Sequence, residues 1–457
     1  MVTGVKGAIA AALTAAALLV GTLPAVASDP GAQTSGDSLF PDMGNGGYQV
    51  LNYSVKIDYA PTTGAIDAVT RVRLTASQDL SNFSLDLSGL TVDQVLVDGV
   101  SATFTRSGHK LIVTPASVIG SGATSQVEVA YHGIPEPWVD LDGSSDGWQK
   151  VAHGVIALNE PHGAMTWFPV NNRIDDKATF DLEVSAPTSI TVASCGTFAG
   201  RTVAGATATT RWKQTTPIAP YLTSVTLMPL KLVKGWAGSV PTRSYLDSGS
   251  NAVLPRWAGS AITFFSGRVG PYPFASGGIT AVVGVPYALE VASRPVVSAH
   301  DSRSTVVHEI AHQWFGDSVT PADWGDIWLN EGFATYSEWQ WRTSTNPGWD
   351  DRRFAQLYAK DASDGFWAKA PAALPSGADL FDTDAVYQRG AMTLVALRHR
   401  IGKPAMRTLL RRWYSSHKGQ TVSTADFVAL AQQVSGQDLH SFFDQWLYQP
   451  AKPASGH

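Results

Sequence analysis

The hydrophobic period of this chain changes once, near residue 239, and that change limits the possible folds more than any other feature. Between about Gly47 and Gly235 apolar and polar residues alternate, as in Tyr53, Val55, Ile57 and Tyr59, or Val127, Val129 and Tyr131. Phe83, Leu85 and Leu87 repeat the pattern, as do Phe180, Leu182 and Val184. Successive side chains of a strand point to opposite faces, so each run predicts a strand with one buried face. Turn pairs such as Asp98-Gly99 and Ser121-Gly122 separate the runs. Many short strands so punctuated predict an antiparallel β-sandwich or saddle-shaped sheet. The stretch 200–225, rich in Thr and Ala, continues the strands. Beyond Ser239 the period lengthens, and 304–315 and 329–342 read as helices. Ser423 or Thr424 is the expected N-cap of a helix carrying Phe427, Leu430, Ala431 and Val434 and ending at Gly436. Leu439, Phe442, Phe443 and Trp446 repeat that spacing up to Pro450. The expectation is an α+β multidomain chain, with a β domain over 47–237 and a mainly helical domain over 238–450 containing some strand near 279–298. Residues 28–46 read as a linker and 451–457 as a frayed tail.

The first residues carry a different message. Lys6 precedes an apolar run over 7–20, and Ala25-Val26-Ala27 follows. A basic start, an apolar middle and an A-x-A site predict a secretory signal peptide over 1–27, cut after Ala27. An uncleaved membrane anchor is the alternative, although the run is near the lower limit for spanning. The mature chain is thus expected to be secreted, with no stable membrane association. Lys and Arg number 33 against 38 Asp and Glu, so no basic field points to nucleic acid. Cys195 is the single cysteine, which excludes an intramolecular disulfide, and it reads as a small buried hydrophobe.

His308-Glu309-Ile310-Ala311-His312 carries the sharpest chemical information. On a helix, residues i and i+4 share a face, so both imidazoles can reach one metal ion. Glu309 is turned about 100° around the axis, placed to work on a water rather than to ligate. Alone, the pentapeptide also fits two surface histidines beside a solvated glutamate. Glu331, nineteen positions after His312 and inside the second predicted helix, narrows the choice. Two His and one Glu leave one tetrahedral position open, the pattern of a catalytic zinc site. Asp326 and Glu338 are candidate hydrogen-bond partners for the zinc histidines, or else ordinary surface acids. Gly143-Ser144-Ser145-Asp146-Gly147 fits the G-x-S-x-G nucleophile elbow, but that motif needs a strand before it and a helix after it. Within a polar stretch of the β region it reads as a turn.

His308-Glu-Ile-Ala-His312-Gln-Trp-Phe-Gly316, followed by Trp328-Leu-Asn-Glu331-Gly-Phe-Ala334, resembles the aminopeptidase N-type gluzincin zinc metallopeptidases. The likeness continues in Asn159-Glu160-Pro161, Phe168-Pro169 and Asp176-Lys177-Ala178-Thr179-Phe180, similar to that family's N-terminal signature. Tyr387-Gln-Arg-Gly390-Ala391 is similar to its tyrosine motif, and Phe443-Asp-Gln-Trp-Leu447 to the end of its catalytic domain. In all, about 45–450 is covered. The resemblance implies a thermolysin-like second domain, peptide substrates, and one zinc ion per chain held by His308, His312 and Glu331. It also implies that Glu309 is the general base, that Tyr387 donates its hydroxyl to the oxyanion, and that Glu290 and Glu160 hold the substrate's α-amine. Two departures stand out around Glu290: Tyr287 replaces the family's first glycine and Val291 its asparagine. A third is the stop soon after Leu447, which resembles a short two-domain form with an open cleft. Zinc endopeptidase action is therefore the alternative among enzymes. A secreted binding protein with a vestigial metal site is the alternative outside them.

Overall fold

The computed structural model describes residues 1–4 and 30–454, so the signal-peptide reading lies almost wholly outside the described residues. The alternating runs form the strands they predict. The larger sheet of the N-terminal domain has eight strands, with Tyr48–Ala60 and Ala178–Pro187 at its centre. Tyr53 faces Phe180 in register, and their rings stack 5.0 Å apart. That central pair runs parallel, unlike the antiparallel pairs around it. Alternation reveals which residues are buried but not the direction of the neighbouring strand. A second sheet of five strands includes Ser145–Val151 and Gly154–Leu158. It carries the segment that ends in Glu160 toward the second domain.

The C-terminal domain contains α1 (Leu254–Arg268), α2 (Arg303–His312), α3 (Trp328–Thr345), α4 (Trp349–Tyr358), α5 (Gly390–Ile401), α6 (Lys403–His417) and α7 (Thr424–Ser435). Caps explain several boundaries. The Ser302 hydroxyl accepts from the Thr305 amide at 3.1 Å, opening α2, and Ser423 and Asp426 cap α7 reciprocally. Gly436 closes α7 at φ 68°, a left-handed position that favours glycine.

Three expected boundaries need correction. Strands Lys231–Ala237 and Val240–Leu246 form one hairpin, joined in parallel to Thr280–Val282 and Val296–Ser298. A division at 237/238 would cut this hairpin, so the chain changes domain near Pro229 instead. The periodicity could not show this, because strands on both sides share period two. Residues 30–46 are no free linker. Phe40 is buried, with its ring 4.4 Å from that of His162 and 6.3 Å from that of Trp324. The Asp37 carboxylate accepts from the Trp324 amide at 3.0 Å, and Asp323 accepts from the Ser38 amide at 3.0 Å. One buried ring and a few capping acids make a strap without any period. The tail is also anchored as far as Pro453, whose carbonyl accepts from the Tyr358 hydroxyl at 2.7 Å.

Candidate active site

α2 presents His308 and His312 one turn apart, with ring centroids 4.7 Å apart. α3 packs across α2 and brings Glu331 to both: its Oε2 lies 3.0 Å from His308 Nε2 and 3.5 Å from His312 Nε2. The donor atoms of the three residues lie within 4.8 Å of one another. On the far side of its ring, His312 Nδ1 donates to Asn330 Oδ1 and approaches the Phe315 carbonyl at 3.2 Å. That bond directs Nε2 inward, as in metal-ligating histidines. Two imidazole nitrogens and one carboxylate oxygen match the donor set of a catalytic zinc site. The residues present therefore fit zinc.

Close backbone packing fixes these groups. A Cβ on Gly316, at φ 118°, would fall 2.0 Å from Asn330 Oδ1, so glycine leaves that amide its place. A Cβ on Gly332 would lie 2.9 Å from the Gly390 Cα, so α3 and the start of α5 touch at the backbone. Immediately before α5 the chain makes a π-helical turn, Thr383–Arg389, which carries Tyr387. Its ring lies nearly parallel to that of His308, at 5.9 Å and 17°.

Glu290 and Glu160 reach the same cavity, about 270 Å³ in volume, as Glu309 and the three donors. Asn330 Nδ2 donates to Glu290 Oε1 at 3.0 Å, so one amide links a zinc-ligand histidine to the expected amine anchor. Tyr221 also approaches Glu290, at 3.5 Å. Glu160 is buried and its Oε1 has no hydrogen-bond partner. Burial pushes the Glu160 carboxyl well up, and Glu290, Glu331 and Glu309 add to the effect. Burial likewise pushes Glu309 up, against the pull of His312. Burial would raise Glu331 too, but the imidazoles of His312 and His308 outweigh it and hold the carboxyl at about 2. So many buried carboxylates in one space suit positively charged ligands.

Asp326 and Glu338 are not partners of the histidines. Asp326 accepts from the Thr424 hydroxyl at 2.6 Å and amide at 3.2 Å, at the start of α7. Glu338 pairs with Arg342 at 2.9 Å, one turn along α3. The groups that hold His312 are Asn330 and a carbonyl. The sequence signal for Asn330 was a polar residue beside Glu331 in the buried first turn of α3. Gly143 to Gly147 is a turn leading into a strand rather than a helix, but its Asp146 lines the cavity.

The fold and the donor set are similar to those of two-domain zinc metallopeptidases. The peptidase family M1 domain matches residues 286–446 of this chain. An M1 zinc metallopeptidase from Deinococcus radiodurans superposes with a TM-score of 0.84 at 28% identity, covering 92% of this chain and 98% of that one. A two-domain M1 zinc metallopeptidase solved with bound L-tryptophan, as a variant, superposes with a TM-score of 0.83 at 29% identity over 91% of this chain and 97% of that one. Aminopeptidase N of Lactococcus lactis subsp. cremoris (strain MG1363) is 35% identical over 159 residues, 33% of this chain. That of Streptomyces lividans is 31% identical over 168 residues, 34% of this chain. Each match spans 19% of the aminopeptidase N concerned, so the chain covers under a fifth of those relatives' length.

Proposed function

We propose that this chain is a secreted zinc aminopeptidase that removes the first residue of peptides. The observation carrying the proposal is the pair Glu160 and Glu290, buried in one cavity with the donors His308, His312 and Glu331. Two carboxylates around one ammonium give charge-assisted hydrogen bonds and set the register at the first peptide bond. The unpartnered Glu160 Oε1 suits such a donor. Bound zinc supplies Lewis-acid polarisation and a lowered pKa for a ligated water. Glu309 takes the proton of the attacking water and passes it to the leaving amine. Tyr387, stacked against His308, donates its hydroxyl to the developing oxyanion. The Tyr-Ser-Ala substrate bound by the Deinococcus radiodurans relative and the L-tryptophan bound by a two-domain M1 zinc metallopeptidase support this substrate class. Export rests on the basic, apolar and A-x-A pattern of residues 1–27. N-terminal sequencing of the exported protein should begin at Ser28.

Matched peptides, free and N-acetylated, test the exopeptidase reading. The free peptide should lose its first residue in a chelator-sensitive reaction, while the acetylated one resists. Efficient internal cleavage of the acetylated peptide would replace this reading with the endopeptidase one.

A further inference from the structure

The cavity holds more acidic groups than the proposed reaction uses. Its wall carries the carboxylates of Asp142, Asp146, Glu160, Glu290, Glu309 and Glu331, and no lysine or arginine. On the reading above, Glu331 belongs to zinc, Glu309 to the proton and Glu160 with Glu290 to the α-amine. Asp142 and Asp146 remain, and neither forms an ion pair among the described residues. Asp146 accepts from the Tyr287 hydroxyl at 3.2 Å and more weakly from the His162 amide at 3.4 Å. Its other acidic neighbour, Asp140, is paired with His162 at 3.1 Å. The Asp142 carboxylate accepts from the Ser144 amide at 2.8 Å.

The position of this surplus is specific. His162 stands two residues after Glu160, and Tyr287 three before Glu290, so the contacts of Asp146 belong to the two segments that hold the amine anchors. The acidic wall therefore flanks the first residue of a bound peptide. Tyr287 and Phe381 both line the same cavity. Aromatic faces pack on an alkyl stem and attract a guanidinium or ammonium group. Tyr287 stands where the resembled family has glycine, so its hydroxyl contact to Asp146 belongs to this chain.

We propose that Asp142 and Asp146, with Tyr287 and Phe381, select peptides whose first residue is arginine or lysine. This deepens the aminopeptidase reading and rests on it. Without a counter-ion the buried Asp146 carboxyl keeps its proton, and a cationic side chain placed beside it favours the ionised form, as the exposed Asp142 carboxylate attracts it directly. Burial and the neighbouring Asp140 push the Asp146 carboxyl up to about 9. Asp146→Asn therefore keeps the shape and the neutral state of that group and should fold, while Asp142 is exposed and tolerates Asn directly.

The test compares kcat/KM for arginyl, lysyl and norleucyl amides, the last a neutral chain of similar length. The wild-type enzyme should favour the cationic pair by about tenfold or more, the scale of one charge-assisted hydrogen bond. Asp142→Asn and Asp146→Asn should each reduce that ratio several-fold, and the double variant should bring it near one. Calorimetric binding of free L-arginine and L-norleucine to the zinc-loaded Glu309→Gln protein gives a second readout, independent of turnover. Equal kcat/KM and equal binding for cationic and neutral ligands would overturn the selectivity while leaving the aminopeptidase reading intact. Failure of both amino acids to bind, together with internal cleavage of acetylated peptides, would overturn both.

Discussion

At the scale of single residues, Glu309 and Asn330 make opposite predictions. Glu309→Gln leaves the three zinc donors untouched and removes only the proton acceptor. The variant should retain zinc by atomic absorption, with kcat lower by roughly 10²–10⁴-fold, the usual contribution of general base catalysis. A zinc-loaded variant with normal turnover would remove Glu309 from the mechanism. Asn330→Ala acts on the metal and the anchor together, since the amide accepts from His312 and donates to Glu290. Zinc affinity should fall about 10–100-fold, the range for lost partners of a ligating histidine, and KM should rise for free-amine peptides. Competition with a chromogenic chelator measures the first effect. His308 and His312 were legible as neighbours because helical spacing puts i and i+4 on one face, and Glu331 was picked out by its place in the second helix. Asp326 and Glu338 were misread because acidity and proximity in sequence say nothing about which face of a neighbouring helix is met. The residue that does hold His312 was hidden in the uncharged half of the same motif.

At the scale of elements, the crossing of α3 with α5 decides where Tyr387 stands. Alanine at Gly332 would force its Cβ against the Gly390 backbone, and a main-chain contact has little freedom to yield. Gly332→Ala should therefore cost about 1–3 kcal/mol of stability, the range for overpacking. It should also lower kcat more than it raises KM, as loss of an oxyanion donor does. Thermal melts and steady-state kinetics on one preparation check both; a destabilised enzyme with unchanged kcat would show that Tyr387 tolerates the shift. Helices α2 and α3 were readable from apolar spacing, and α7 from its cap as well. The π-helical turn under Tyr387 was not, because seven residues without a sustained apolar face give no period to read. Only the motif picked out the tyrosine.

At the scale of the whole molecule, Lys177 ties the domains together. Its Nζ donates to the carbonyls of Asp317 and Ser318, at 3.2 and 2.9 Å, and to the Thr320 hydroxyl at 2.8 Å. Burial lowers its pKa to about 7, against the opposing pull of Asp317. The unfolded chain, with its lysine near the ordinary value, binds more protons than the folded one between about pH 7 and pH 10. Stability should therefore rise with pH across that window. Urea midpoints at pH 7 and pH 9 should show the wild type gaining more than Lys177→Met. Equal slopes would mean that the lysine remains charged in the folded protein. Alternation predicted the sheet domain and helical periodicity the second domain. The seam between them was not legible, because its bonds join residues about 140 positions apart.

The buried strap at Phe40 has a mechanical consequence. Besides the crossing near Pro229 and the Lys177 tie, the two halves are fastened by Asp37 and Ser38 clasping the Trp324 turn. A body held on one hinge can swing, but a hinge with a bolt on another side keeps its aperture. The mouth above the zinc donors is then a fixed gauge, admitting peptides by fit rather than by gating. On the proposed reading, an enzyme so built has its selectivity set before a peptide arrives.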